Sequence, residues 1–159
     1  MRMTLACLCI VGALAGTAMA LAAPPVQRSI EVVLGPKAYR DGDVIEITDV
    51  TSTSATLEQG DSITVRGRVR LDSRSSARLS LYLTQTVGDG WEETDPSQLK
   101  EVSGGVTPFE LKTTIKHRGV LHVTLYDSKS GKAFGGVYFG TPEQVRQITP
   151  SDVKHYLED

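Results

Sequence analysis

Short segments in which apolar and polar residues alternate recur along this chain, and they limit its possible folds more than any other feature. The clearest is the segment VLHVTLY at residues 120–126. A period of two places one set of side chains on each face of a strand. The turn-forming sequence DSKSGK follows, and residues 133–140 lead back as AFGGVYFG. This pattern predicts a β-hairpin.

Further segments alternate in the same way, and turn-forming residues separate them. They are residues 44–50, 62–71, 78–86, 99–102 and 109–116. Residues 72–76 are predicted to be a polar loop, and Gly104 and Gly105 to close a short edge strand. Together with the hairpin, these segments predict about seven short strands in an antiparallel sandwich or barrel.

The returning half of the hairpin changes phase. Phe134 and Val137 are both apolar but lie three positions apart, so a regular strand would place them on opposite faces. A glycine bulge shifts the phase of a strand by one residue. We therefore predict a bulge or kink at Gly135 and Gly136.

The block of residues 44–140 has about the length and strand number of an immunoglobulin-type sandwich. On this strand pattern the chain resembles bacterial secreted immunoglobulin-like or fibronectin-type-III-like domains. The resemblance implies an all-β, antiparallel, immunoglobulin-like β-sandwich of about seven strands. It implies no function, because this architecture carries many unrelated ones. The cysteine–tryptophan–cysteine signature of true immunoglobulin domains is absent, and Trp91 lies in an acidic segment.

Residues 1–22 have the features of a cleaved signal peptide. Arg2 precedes an apolar run, LACLCIVGAL, and A-x-A cleavage signatures end at Ala20 and at Ala22. Either alanine can be the last residue removed. The sequence therefore predicts a secreted or periplasmic protein with no stable membrane insertion after cleavage. Both cysteines would be removed with the signal peptide, and small extracellular animal domains more often use disulfides, so a bacterial origin is favoured.

Cysteine use and charge exclude some classes of function. Cys7 and Cys9 are the two cysteines, and both lie in the predicted signal peptide. The exported chain would therefore have no disulfide, thiolate metal ligand or cysteine nucleophile. The whole sequence has a formal net charge of −2, and cleavage would remove Arg2 and no acidic residue, so the exported chain would have no general attraction to nucleic acid.

The two ends of the exported chain are predicted to be appendages of the sandwich. Residues 23–43 are an N-terminal leader with one edge strand that ends at Gly35. Residues 141–159 form a C-terminal tail, where Thr141 and Pro142 suit the cap and first position of a short helix. The tail is expected to pack loosely through Val153, Tyr156 and Leu157.

One catalytic motif matches literally, S-x-x-K at residues 151–154, but its companion motifs are missing. No catalytic role and no cofactor are therefore predicted. The histidines, His117, His122 and His155, lack the spacing of metal ligands, so no metal site is predicted from them. An acidic loop leaves calcium binding open, because carboxylate oxygens are calcium ligands. Its acidic residues are Asp89, Glu92, Glu93 and Asp95.

Two sheet faces are candidate contact surfaces. The first, the tyrosine face, is predicted to be an open surface on neighbouring strands. It consists of Tyr82, His122, Thr124, Tyr126 and Tyr138. Tyrosine offers apolar area with a hydrogen-bonding tip, which suits a protein or polysaccharide ligand.

The second candidate, the arginine stripe, consists of Arg66, Arg68 and Arg70 on one face of a predicted strand. Glu46 and Glu110 on the neighbouring strands are expected to offset part of its charge. The stripe would suit an acidic partner, whereas cross-strand ion pairs would make it an ordinary solvated face.

The sequence therefore predicts an exported, non-catalytic binding or structural module, with an unidentified protein or polysaccharide as its ligand. Two alternatives remain. A small secreted hydrolase would need a histidine beside a carboxylate and a nucleophile in one cleft. A small-ligand carrier would need a hollow interior. The sequence leaves the oligomeric state open.

Overall fold

A computed structural model describes residues 25–40, 42–86 and 94–158. The predicted signal peptide, Trp91 and most of the acidic loop lie outside these residues. The strands are β1 (Arg28–Ser29), β2 (Val33–Ala38), β3 (Val44–Ser52), β4 (Ser62–Gln85), β5 (Leu99–Thr114), β6 (Gly119–Tyr126) and β7 (Ala133–Gly140). The helical elements are α1 (Pro142–Val145) and 3₁₀ helices at Pro96–Gln98 and Pro150–Leu157. No helix in the described ranges is long and apolar enough to cross a membrane.

The strands form one antiparallel sheet in the order β1-β3-β4-β6-β7-β2, and β5 pairs with β4 beside this path. The sheet is open and curls on itself. The predicted antiparallel all-β class is therefore confirmed, and the β6–β7 hairpin lies where the alternation places it. The immunoglobulin-like sandwich stays a prediction.

Strand β4 is 24 residues long and holds the two halves of the sheet together. Its first half pairs with β3, its second half pairs with β6, and β5 follows it on the other side. The predicted loop at residues 72–76 and the predicted strand end at Gly104 and Gly105 are wrong. Both strands continue through these positions, where the register shifts between Leu71 and Ser76.

The inner side of the curled sheet is filled by the alternating apolar residues. Gly67 stands among them because its side-chain space is occupied: a Cβ there would lie 2.0 Å from the Glu46 carbonyl oxygen and 2.7 Å from Phe109 Cζ. Among the apolar residues of the alternating segments, Ile47 and Leu83 are only partly buried, whereas the following are buried: Ile63, Val65, Val69, Leu79, Leu81, Leu111, Leu121, Val123 and Leu125.

The N-terminal leader is part of the sheet. β1 pairs with β3, and β2 pairs with β7 at the far end of the strand order. The prediction that this strand ends at Gly35 is wrong, because β2 continues to Ala38 after a register shift between Leu34 and Lys37. The shift surrounds Pro36, which has no backbone N–H to give to a ladder.

The bulge predicted at Gly135 and Gly136 lies at Phe134 instead, so the predicted position is wrong by one residue. Gly136 pairs with Thr124 and Gly135 pairs with Leu125, so the ladder is regular through both glycines. The next pair joins Ala133 to Tyr126, which leaves Phe134 as the extra residue. The bulge still corrects the phase, since Phe134 is buried in the same core as Val137.

A buried carboxylate binds the backbone of β4 where the register with β5 shifts. Asp43, only 3% exposed, accepts hydrogen bonds from the backbone N–H of Asp72 at 2.8 Å and of Ser73 at 2.9 Å. It also accepts one from the Ser73 hydroxyl. These bonds satisfy backbone donors at the point where the register of β4 and β5 shifts.

Replacement of Asp43 by alanine is expected to lower the free energy of unfolding by about 3 kcal/mol, because buried donors lose their acceptor. Urea denaturation measures the change. The control is Asp72→Ala, since the Asp72 carboxylate is half-exposed and lies 3.5 Å from Arg70. It should change stability by less than about 1 kcal/mol. Equal effects from the two variants would contradict this role of Asp43.

Candidate functional site

The arginine stripe is neutralised by its neighbours. The nitrogen–oxygen distances are 3.1 Å for Arg66–Asp49, 2.7 Å for Arg66–Glu110, 2.9 Å for Arg68–Glu46 and 3.5 Å for Arg70–Asp72. Hydrogen bonds from Lys112 and Arg66 hold the pKa of Glu110 below its ordinary value. The predicted offset by Glu46 and Glu110 is therefore confirmed. Arg66 and Arg68 form cross-strand ion pairs, and Arg70 pairs within β4, so the stripe does not present free positive charge.

The structure brings the five residues of the tyrosine face together. Tyr82 on β4 pairs with His122 on β6, which pairs with Tyr138 on β7. Ring centroids are 4.9 Å apart for His122 and Tyr138, and 6.1 Å apart for Tyr82 and Tyr126. The latter two rings meet edge to face. The alternation of the strands thus predicts correctly which side chains become neighbours.

The expectation that this face is open is wrong for three of its residues. The exposed fraction is 9% for His122, 0% for Thr124 and 4% for Tyr138. Tyr82 and Tyr126 are half-buried. Of these five residues, only Tyr82 and Tyr126 therefore keep side-chain surface that a ligand can reach.

We call residues 141–157 the C-terminal segment. This segment covers the tyrosine face. Ile148, Val153 and Tyr156 are buried against Tyr138 and Val120. The tail is therefore not a loose appendage. Val153 and Tyr156 pack as predicted, whereas Leu157 is 51% exposed and does not.

The segment begins with the predicted helix cap. The Thr141 hydroxyl accepts a hydrogen bond from the Gln144 backbone N–H at 3.3 Å, and Gln144 Oε1 accepts one from the Thr141 N–H at 2.9 Å. Pro142 occupies the first helical position, as its fixed φ favours. The later 3₁₀ helix begins at Pro150, with Thr149 as its cap.

A chain of hydrogen bonds joins the segment to the sheet. The Tyr156 hydroxyl is 3.1 Å from Thr124 Oγ1, which is 2.7 Å from His122 Nδ1. The Tyr138 hydroxyl is 3.0 Å from Thr84 Oγ1. Burial raises the pKa of Tyr156, and it raises the pKa of Tyr126 to about 12. Both phenols therefore stay protonated and act as neutral hydrogen-bonding groups.

Two glycines make room for the segment. A Cβ on Gly136 would lie 2.9 Å from two ring atoms of Tyr156 and 3.0 Å from Thr124 Oγ1. A Cβ on Gly35 would lie 2.9 Å from Val145 Cγ1. Distances below 3.0 Å require something to move, so the sheet surface is shaped for this segment.

Substitution of Gly136 by alanine is expected to displace Tyr156 and to destabilise the protein by about 1–3 kcal/mol. Hydrogen exchange of the C-terminal segment should increase more than that of β4 and β6. Gly135→Ala is the matched control, because its Cβ would have no neighbour closer than 3.4 Å. Unchanged hydrogen exchange in the C-terminal segment of the Gly136→Ala variant would show that the close approach of Tyr156 to Gly136 does not hold the segment on the sheet.

His122 is a buried histidine in the contact between the tyrosine face and the C-terminal segment. Burial lowers its pKa to about 4, and the charge of His155 adds to the effect. The other ionisable groups around it are Tyr82, Tyr138 and Tyr156. His122 is therefore neutral in the fold at pH values where an exposed histidine is charged.

We expect the free energy of unfolding to fall as the pH is lowered from about 6.5 to about 4. In this window the unfolded chain binds a proton at residue 122 and the folded chain does not, so protonation favours unfolding. The loss attributable to His122 is roughly 3 kcal/mol. Urea denaturation across this range should show a shallower pH dependence for His122→Asn. Parallel profiles for wild type and variant would contradict the assignment.

The remaining candidate ligands do not assemble into a metal site within the described residues, where no group of three His, Cys, Asp or Glu side chains could hold an ion. Most of the acidic loop lies outside those residues. Asp95 caps a 3₁₀ helix by accepting a hydrogen bond from the Ser97 backbone N–H at 2.8 Å. His155 packs on Tyr156, with 4.1 Å between ring centroids.

No pattern in the sequence indicated a further surface, which we call the polar cleft. It has a volume of about 530 Å³ and lies among the loop before β4, the end of β4, the turn before β6 and the C-terminal segment. The wall includes Leu57, which is 2% exposed and has a φ of 53°, an unusual value for a bulky residue. Gln144 Nε2 donates a hydrogen bond to the Leu57 carbonyl at 2.9 Å.

No family model, curated protein or solved structure matches this chain. The candidate surfaces are therefore defined by the chain's own residues. They are the half-buried pair Tyr82 and Tyr126 and the polar cleft.

Proposed function

We propose that this protein is an exported, non-catalytic binding module that contacts a protein partner through Tyr82 and Tyr126. The observation that supports this most is their position. The C-terminal segment covers the other residues of the tyrosine face but leaves these two rings half-buried and edge to face. Tyrosines on a rigid sheet bring large contact area with little loss of side-chain entropy, and they are enriched at protein interfaces.

Export and architecture belong to the same proposal. The apolar run and the A-x-A signatures support removal of residues 1–22 and a periplasmic or secreted location. The strand number supports an immunoglobulin-like module, a class often used for recognition. Neither feature names the partner.

The two alternatives have weaker support. A hydrolase requires a histidine oriented by a carboxylate, whereas His122 is hydrogen-bonded to Thr124 and buried under Tyr156. A carrier requires a hollow interior, whereas leucine, valine and phenylalanine side chains fill the curled sheet.

The double variant Tyr82→Ala/Tyr126→Ala is expected to lose its partner. Affinity capture of the tagged protein from native envelope extract, followed by titration of the retained partner, should show binding weakened by about thirtyfold or more, because interface tyrosines often contribute about 2 kcal/mol. Arg68→Ala on the arginine stripe is the control and should bind normally.

Circular dichroism should first confirm that the double variant is folded. Capture of the same partners with unchanged affinity would contradict the proposal. Retention on an envelope polysaccharide in place of a protein would show that the ligand class is wrong.

A further inference from the structure

The polar cleft combines charges of both signs on segments that are distant in sequence. Arg118 precedes β6, Arg146 and Glu143 belong to the C-terminal segment, and Glu58 lies in the loop before β4. All four side chains line the cleft and are exposed. The volume, about 530 Å³, lies within the range of small-molecule sites.

The four charged groups are left without ion pairs in the described part of the chain. This differs from the sheet, where every arginine of β4 lies within 4 Å of a carboxylate. Those arginines are Arg66, Arg68, Arg70, Arg74 and Arg78. Two guanidinium and two carboxylate groups therefore share one concavity without neutralising each other.

The wall of the cleft is held in place. The side chain of Gln144 bonds to the Thr141 N–H and to the Leu57 carbonyl, and thereby ties the C-terminal segment to the loop before β4. Leu57 keeps a left-handed φ of 53° while its side chain is buried in the core. Such a conformation costs about 1–3 kcal/mol and persists only where the surroundings determine it.

We propose that the polar cleft binds a small zwitterionic ligand, namely a free amino acid or a short peptide with both ends unblocked. Arg118 and Arg146 would bind its carboxylate, since guanidinium groups form bidentate, charge-assisted hydrogen bonds with carboxylates. Glu58 and Glu143 would bind its ammonium group. This proposal is independent of the contact at Tyr82 and Tyr126, because the two surfaces share no residue.

The probes are L-alanine and L-alanyl-L-alanine, each compared with its N-acetylated form and with its C-terminal amide. Titration of the ¹⁵N-labelled protein at constant ionic strength should shift the backbone amides of Leu57, Gly119 and Gln144 with at least one unblocked probe. Blocking either end of that probe should weaken binding by about tenfold or more, because one charged contact is lost.

Variants assign the contacts. Arg118→Ala/Arg146→Ala should weaken binding of the unblocked probe by about tenfold or more, and Glu58→Gln/Glu143→Gln should do so as well. Arg28→Ala is the matched control, since Arg28 is also exposed but lies outside the cleft. It should leave the titration unchanged.

Three results would overturn the proposal. The first is that neither unblocked probe shifts these amides at the highest concentration at which it dissolves. The second is that an N-acetylated form binds as tightly as the unblocked probe. The third is that the arginine variant binds the unblocked probe as tightly as the wild type does. Each can occur while the Tyr82 and Tyr126 experiment succeeds, so the two proposals fail separately.

Discussion

The shared strand β4 is the constraint on which the rest of the structure depends. One half pairs with β3 and the other half pairs with β6, so this single strand joins the two parts of the sheet. Asp43 accepts hydrogen bonds from the backbone of β4 between these halves, where the register with β5 shifts. A single carboxylate thus satisfies backbone donors in the strand that joins the two parts of the sheet.

The strand pattern was predictable because alternation is a local property. The inward positions of β4, β5 and β6 follow from it, and so do the neighbours on the tyrosine face. The sequence did not predict that β4 continues through residues 72–76. Residues 72–76 contain polar side chains typical of a loop, yet the buried carboxylate of Asp43 and the pairing of Ser76 with Ser103 keep the chain in β4.

The covering of the tyrosine face was not predictable for a different reason. It depends on Tyr156, which meets Thr124 across 32 residues of sequence, and on the missing side chain of Gly136. Neither residue has a local signal for such a contact. The polar cleft was not predictable for the same reason. No motif links its lining residues, which include Arg118, Glu58 and the C-terminal segment, and they become neighbours only in the folded sheet.

The position of the N-terminal strand has a consequence for the order of folding. The strands β4 to β7 pair with partners that are mostly near in sequence, whereas β2 pairs with β7 across about 100 residues. Closing so long a loop carries an entropic cost that is repaid only once β7 is in place. We therefore expect β2 to join the sheet last, after β7 is in place.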